Sequence, residues 1–460
     1  MKEKSIDEND ANALCSKQEG HFFDRKALAI SGRKVQKTAV AFANADGGEF
    51  VIGIKDDKEE VNPPDRWEGA PNIESFNSHL QALAEVSPGL DLRVEILTCT
   101  DKSGSVLRIF VEKSVSVHKT SDNSVYQRLG AQSIKIVDPQ RIIELSYAKG
   151  AQTYEDNLVQ DLNTESIVES LEILSFLSGF SPKSDPIEYS INENLIDQRT
   201  WVPRVCGTVL FHTNPPAVMP IRCGAKVARY ETREDEPERE HLKESFSFEK
   251  PIYPLITETV EKVRTILSSI TIWTAEGLKQ VEYPPEALWE VIVNAFIHRD
   301  YSLSDDVTIL IYNDRVEVKS PGRLPGYVTP ENILDVRFSR NPKIVRTLSR
   351  YRNAPNKDLG EGLNTAFQQM KDWRLKPPII VEQNNYVVVT LPHTPLAAPT
   401  ELILDFLKEH NEITNRQARE ITGIKSENLV KVEFYKLRNA DMLEMVPGKR
   451  GPAAAWRLKK

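Results

Sequence analysis

A chain of 460 residues exceeds what one ordinary hydrophobic core organises, and about 100 to 200 residues per domain predicts three or four units. With 40% hydrophobic and 27% charged residues it reads as a soluble globular protein, which sets aside disordered and fibrous classes. The formal net charge of −8 excludes a surface coated in cations, so any nucleic-acid contact has to come from local patches.

Residues 1–18 read as a polar lead-in; the opening MKEKSIDENDANAL is charged, so no secretory signal is expected. Glu19 and Asp24 then flank Gly20-His21-Phe22-Phe23, with Arg25-Lys26 following, in a short strand of weak alternation. A helix over Arg33 to Ala43 buries Val35, Ala39, Val40, Phe42 and Ala43, and Asn44-Ala45-Asp46-Gly47-Gly48 ends it with a cap and turn signal. Glu49 to Ile54 is a β-rich strand that delivers Asp56 and Asp57 to a loop. Trp67 to Val86 reads as a helix-rich insertion, Leu92 to Thr98 and Val106 to Glu112 as a strand pair, and Pro139 to Tyr147 as the helix that closes the domain near Gly150.

This run resembles the Schlafen-type AlbA domain. The matching pieces are Glu19, Asp24 and Lys26; Ala41-Phe42-Ala43-Asn44 with Gly47-Gly48; Gly53 to Asp57; and Tyr126-Gln127-Arg128-Leu129-Gly130. Where the family usually has Glu-Phe-Lys, this chain has Asp24-Arg25-Lys26. In Schlafen nucleases three acids of this pattern act together, and the resemblance carries them to Glu19, Asp24 and either Asp56 or Asp57. Three converging carboxylates would hold Mg2+ or Mn2+, which polarises a phosphodiester and generates hydroxide, while Lys26 steadies the developing charge. The other reading makes them solvated acids on a nucleic-acid or protein binding module. Lys119 and Arg128 are candidates for phosphate contacts.

Gln152 to Asn163 is a polar connection. Thr164 to Gly179 reads as one helix from the spacing of Ile167, Leu171, Leu174 and Leu177, and Arg204 to Phe211 and Ile221 to Tyr230 as strands around a Pro-rich turn. Glu231 to Lys243 is a solvated charge run, and Pro251 to Ile272 a long amphipathic helix. This middle segment offers no chemistry and is either the start of a second domain or a bridge.

In Tyr283 to Tyr301, YPPEALWEVIVNAFIHRDY, Pro284 and Pro285 predict a helix opening near Glu286. Leu288, Ile292, Ala295 and Phe296 form an apolar stripe, and Glu290, Asn294 and His298 line up beside it. A carboxylate one turn before a carboxamide suits a nucleotide's magnesium ion, with the amide oxygen as ligand and the carboxylate orienting water; the plain alternative is an exposed polar face. Val307 to Tyr312 and Val316 to Lys319 read as a hairpin broken at Ser320-Pro321-Gly322. Asp358-Leu359-Gly360-Glu361-Gly362-Leu363 then sets two glycines at a helix entrance, where bare amides close on an anion.

That order resembles the GHKL-type ATP-binding fold, in the divergent form related to the C-terminal part of the RecG helicase. NAFIHRDY (Asn294 to Tyr301), NDRVEVKSPGRLPG (Asn313 to Gly326), SRNP (Ser339 to Pro342) and GEGL (Gly360 to Leu363) carry the resemblance. It implies ATP with Mg2+ as cofactor, Glu290 as the water-activating base, Asn294 as the magnesium ligand, and Gly360 and Gly362 as part of the phosphate lid. Ser320, ahead of Gly322, stands where the family carries an Asp that reads the adenine amino group.

Pro392 to Pro399 is a Pro-rich linker. Glu401 to His410, Thr414 to Thr422 and Ser426 to Leu437 are helical patterns, followed by two strands around Pro447-Gly448-Lys449-Arg450-Gly451. This resembles a winged helix-turn-helix in which Asn428, Lys431, Lys449 and Arg450 would meet nucleic acid. Glu427 and Glu433 dilute that charge, which keeps a protein-interaction role open.

The expected organisation is an α+β multidomain chain: an AlbA-like α/β domain (1–150), a connecting segment and start of the second domain (151–270), a GHKL-type ATP-binding α/β sandwich (271–395) and a winged helix (398–460). Cys15, Cys99, Cys206 and Cys223 show neither a CxxC pair nor structural zinc spacing, which fits a reduced, cytoplasmic setting. No run of about 18 apolar residues is present to span a bilayer. Two functions follow: an ATP-controlled metal-dependent nuclease of RNA or DNA acting in antiphage defence, or an ATP-sensing transcriptional regulator without nuclease activity. A homo-oligomer is left open.

Overall fold

The first sheet of the computed structural model, which describes residues 2–274, 277–356, 362–393, 399–422, 424, 426–449 and 454–459, has five strands. These are β1 (Lys2–Ile6), β2 (Phe23–Lys26), β3 (Gly48–Ile52), β4 (Leu92–Cys99) and β5 (Ser105–Val111), in the order β1-β4-β5-β3-β2. The period-two alternation of β3 sends Phe50 and Ile52 to the face covered by the Gly32–Ala43 helix, and Val51 to the opposite face. That opposite face is closed by residues expected to be a polar lead-in. Asp7 caps a helix, Glu8–Ser16, by accepting from the Asp10 amide at 2.8 Å, and Ile6, Ala11 and Cys15 are buried against Val51 and Leu97. The expectation failed because this apolar stripe is narrow and the residues around it are charged.

The Ala-Phe-Ala-Asn-x-x-Gly-Gly turn is held by close packing. Asn44 Nδ2 donates to the carbonyls of His118 (2.8 Å) and Tyr126 (2.9 Å), and its Oδ1 accepts from the His118 amide at 2.8 Å. Gly48 has φ +148, and a Cβ there would lie 2.7 Å from the Phe42 ring. Asn44 thereby ties the helix end to the hairpin of β6 (Val125–Leu129) and β7 (Gln132–Ile136). The Pro139–Lys149 helix stops at Gly150 in a left-handed conformation, with the Phe338 ring occupying the space of a side chain.

One core runs from Val159 to Leu391. Its sheet includes β8 (Ala225–Tyr230) and β9 (Leu242–Phe248); β10 (Thr271–Thr274) and β11 (Gly277–Gln280) pair separately. With β12 (Val307–Ile311), β13 (Arg315–Pro321), β14 (Ile379–Gln383) and β15 (Tyr386–Pro392), the order is β14-β15-β13-β12-β8-β9. β8 runs parallel to β12, so the chain between them crosses over, through the Ile252–Ser268 and Pro285–Ile297 helices that pack on the sheet. Residues on both sides of position 270 therefore share this core.

Two elements differ from expectation. Arg204 to Phe211 contains a helix, Val205–Phe211, rather than a strand; all seven of its residues are buried, so no periodicity distinguishes the two. Thr164 to Gly179 is broken at Ser170, whose hydroxyl accepts from the Ile173 amide and caps a second helix, Leu171–Phe180.

The C-terminal residues form the helices Pro399–Glu409, Asn415–Thr422 and Glu427–Asn439. A sheet of β16 (Ile413–Thr414), β17 (Leu443–Met445) and β18 (Ala455–Leu458) completes a separate core around Phe434 and Trp456. Gly360, Arg450 and positions 394–398 of the linker lie outside the described residues.

Candidate functional site

Pro285 at the first helical position opens the Pro285–Ile297 helix, whose buried stripe leaves Glu290 and Asn294 half-buried at its side. Facing them is the start of the Gly362–Asp372 helix. A Cβ at Gly362 would lie 2.3 Å from Glu290 Oε2 and 3.6 Å from Asn294 Nδ2. A side chain there would have to displace the Glu290 carboxylate, and the glycine backbone brings a helix N-terminus against that carboxylate, an arrangement the helix dipole favours. A carboxamide oxygen beside a glycine-bared helix end is a donor set that fits a magnesium-bound triphosphate, whose phosphates and waters would supply the remaining oxygens.

Ser320 is buried and its Oγ donates to the Ala295 carbonyl at 2.7 Å, so its lone pairs rather than its proton remain for a ligand. Gly322 has φ +108, and a Cβ there would sit 2.6 Å from Asp300 Cβ and 2.7 Å from Arg340 Nη1. Asp300 and Arg340 form a buried ion pair at 2.6 Å. Asn341, fully buried, donates from Nδ2 to the carbonyls of Ile297 and Arg299 at 2.9 Å and ties off the Glu290 helix. Sequence reasoning gave Asn341 no role; the only signal was its place in Ser-Arg-Asn-Pro.

In the first domain Asp24 is buried between two cations: Arg128 Nη1 donates to Oδ2 at 2.7 Å, and Lys26 Nζ pairs with Oδ1. Arg128, expected at a phosphate, is itself buried. It donates to the carbonyls of Gly20 (2.8 Å) and Phe23 (3.2 Å) and lies over the Phe42 ring. Glu19 Oε1 accepts from the Arg25 amide at 3.0 Å; burial, then the neighbouring Asp24, pushes its carboxyl above the ordinary range.

Asp57 does not join this pair. Strand alternation turns the Arg25 side chain away from Asp24 and Lys26, and Arg25 Nη2 (2.5 Å) and Arg66 Nη1 (2.8 Å) both hold Asp57 Oδ1. Asp57 is 64% exposed, whereas the two guanidiniums are nearly fully buried. Asp56 accepts from the Lys58 and Glu59 amides and shapes the turn. Of the expected set of Glu19, Asp24 and either Asp56 or Asp57, the structure pairs Asp57 with Arg25, which stands where the family has Phe, and with Arg66. Among the described residues no three His, Cys, Asp or Glu side chains are placed to hold a metal ion.

Lys119 is exposed, its backbone paired with Ser87. Asn428 and Lys431 are exposed on the Glu427–Asn439 helix; Lys431 pairs with Glu427 at 2.7 Å, Lys436 with Glu433 at 2.8 Å, and Lys449 with Glu412. Leu429, Val432 and Tyr435 are exposed on the same helix.

Residues 19–137 match the family model described as Schlafen, AlbA_2, and residues 304–391 match the one described as putative ATP-dependent DNA helicase recG C-terminal. The domain combination expected from the sequence is the one these matches give; neither extends to the C-terminal module. No curated protein matches the chain. Among solved structures, the DIP2311 protein from Corynebacterium diphtheriae is similar at 17% identity and a TM-score of 0.42, over 98% of this chain and 97% of that one. No helix among the described residues is long and apolar enough to cross a membrane.

Proposed function

We propose that this chain is an ATP-binding, nucleic-acid-directed regulator whose AlbA-type domain binds rather than cleaves. The observation that carries this reading is the commitment of the acids: Asp24 to Arg128 and Lys26, Asp57 to Arg25 and Arg66. Moving Asp57 to the Glu19–Asp24 pair takes the carboxylate away from two buried guanidiniums, which then keep only their bonds to backbone carbonyls. The nuclease alternative, with a role in antiphage defence, rests on the adjacency of Glu19, Asp24 and Lys26 and requires that rearrangement.

In the regulator reading Asn294 would hold the magnesium ion through its amide oxygen, and Glu290 would orient a water. The Gly362 backbone would hold phosphate oxygens, a role the resemblance also gives Gly360, and Ser320 would accept from the base. Magnesium supplies charge neutralisation for the triphosphate. The C-terminal module acts as a winged helix-turn-helix with Asn428, Lys431, Lys449 and Arg450 toward nucleic acid. Exposed ion pairs such as Lys431–Glu427 hold each other only weakly, so a phosphate replaces the acid at little cost.

The test is incubation of the full chain with labelled duplex DNA and single-stranded RNA, with Mg2+ or Mn2+ and with or without ATP. Binding without cleavage is expected, surviving Glu19→Ala and Asp57→Asn. Metal-dependent cleavage abolished by Glu19→Ala would overturn the reading in favour of the nuclease.

A further inference from the structure

The Arg323 to Val328 segment, directly after the Ser320-Pro321-Gly322 break, reaches across to the AlbA-type domain. Arg323 Nη2 lies 2.9 Å from Asp46 Oδ1 and 3.2 Å from Glu382 Oε2. Lys113 Nζ donates to the carbonyls of Leu324 (3.1 Å) and Val328 (3.2 Å). Gly326, at φ +57, packs its backbone against the Val115 side chain, whose Cγ1 would overlap a Cβ there, so glycine is favoured at the contact. Arg340 Nη2 donates to the carbonyls of Arg323 (2.6 Å) and Ala148 (3.3 Å), one in each domain.

Both ends of this contact lead to a candidate site. On one side, Arg340 is the ion-pair partner of Asp300, the Asp300 amide donates to the Pro321 carbonyl at 2.7 Å, and Asn341 fixes the end of the helix that carries Glu290 and Asn294. On the other side, Asp46 Oδ2 lies 2.7 Å from His21 Nε2. His21 follows Gly20, whose carbonyl accepts from Arg128, the guanidinium that holds Asp24; Glu19 precedes Gly20. Burial alone would raise the Asp46 carboxyl, but Arg323 and then His21 hold it below the usual carboxylate range, so it stays charged between its two partners.

We propose that the Arg323–Asp46–His21 contact is the route by which nucleotide at Glu290, Asn294 and Gly362 changes the nucleic-acid affinity of the AlbA-type domain. The inference rests on the regulator reading and names its regulation. Arg323 is tethered at its guanidinium by Asp46 and at its carbonyl by Arg340, so a shift of the Pro321–Arg323 backbone on nucleotide binding transmits to Asp46 rather than dissipating locally.

The experiment is a double-mutant cycle on the full chain with Asp46→Asn and Arg323→Gln. Affinity for labelled duplex DNA and single-stranded RNA is measured with and without Mg-ATP, and Mg-ATP is titrated separately. In the unaltered chain ATP is expected to change nucleic-acid affinity by at least about fivefold, the lower end of ordinary coupling. Each single variant and the double variant are expected to reduce that change to under about twofold and to the same extent, with ATP still binding. An ATP effect that persists in both single variants, or losses that add in the double, overturns the route and leaves the functional reading standing. No ATP effect in the unaltered chain overturns the regulator reading, and the route with it.

Discussion

The AlbA-type acids and the Glu290–Asn294 helix are both polar sites at the edge of a packed core, and they are closed in different ways. Asp24 and Asp57 are each held by two cations of the chain, so that site is closed by charge. At Glu290 and Asn294 the closing group is the backbone of Gly362, so that site is closed by shape. Opening the first means separating buried charges, whereas opening the second means moving a glycine at a helix end. Carboxylates in a nuclease-like pattern can thus serve as fold-holding groups.

The largest effect should come from breaking the charge closure. Arg128→Ala leaves Asp24 buried with Lys26 alone and removes the contact with Phe42, so unfolding by denaturant is expected to show a loss of about 3 to 5 kcal/mol. A loss under about 1 kcal/mol, the range of an exposed pair, would mean the acid is not held as described.

Next comes the segment that joins the two regions. Glu155 is fully buried, and its carboxylate accepts from the Lys343 and Ile344 amides at 2.8 and 3.1 Å. Burial pushes its pKa from 4.5 up to about 7, against the pull of the two amides. Because the folded-state value is the higher one, the folded chain holds the proton more tightly. This contribution is full below about 4.5 and is lost as pH rises towards about 7, on the order of 3 kcal/mol in all. Glu155→Gln should flatten the pH dependence of unfolding across that window, and an unchanged slope would assign it to other groups.

The smallest effect sharpens the shape closure. Gly362→Ala presses a methyl group into Glu290, and Mg-ATP titration is expected to show at least about a tenfold weaker affinity, about 1.4 kcal/mol. Unchanged ATP affinity in Gly362→Ala would place the nucleotide elsewhere.

The legible parts of the fold were those with strong local signals. Pro284-Pro285 and the apolar stripe marked the Pro285–Ile297 helix, and the hairpin of β12 and β13 followed from its alternation. The Asn44 to Gly48 turn was visible as a motif, although the reason for it, Asn44 bonded to His118 and Tyr126, needs partners more than 70 residues away. The Val205–Phe211 helix was hidden because burial on every side erases period. In the candidate sites, the residue types at Glu19, Asp24 and Asp57 were readable, but their grouping was not. Arg25 sits between Asp24 and Lys26, and only the strand's pleat decides that it turns the other way, towards Asp57. Arg323, Asp46 and Asn341 act through contacts distant in sequence, which no local pattern announces.

Mn2+ binding to the nucleotide-free full chain, followed by electron paramagnetic resonance, tests the charge closure most directly. Titrations of the unaltered chain and of Glu19→Gln, Asp24→Asn and Asp57→Asn are predicted to superimpose, because Asp24 is already matched by Arg128 and Lys26 and Asp57 by Arg25 and Arg66, while Glu19 accepts from the Arg25 amide. A bound Mn2+ ion lost in each of the three variants would contradict the account and restore the three-carboxylate nuclease centre.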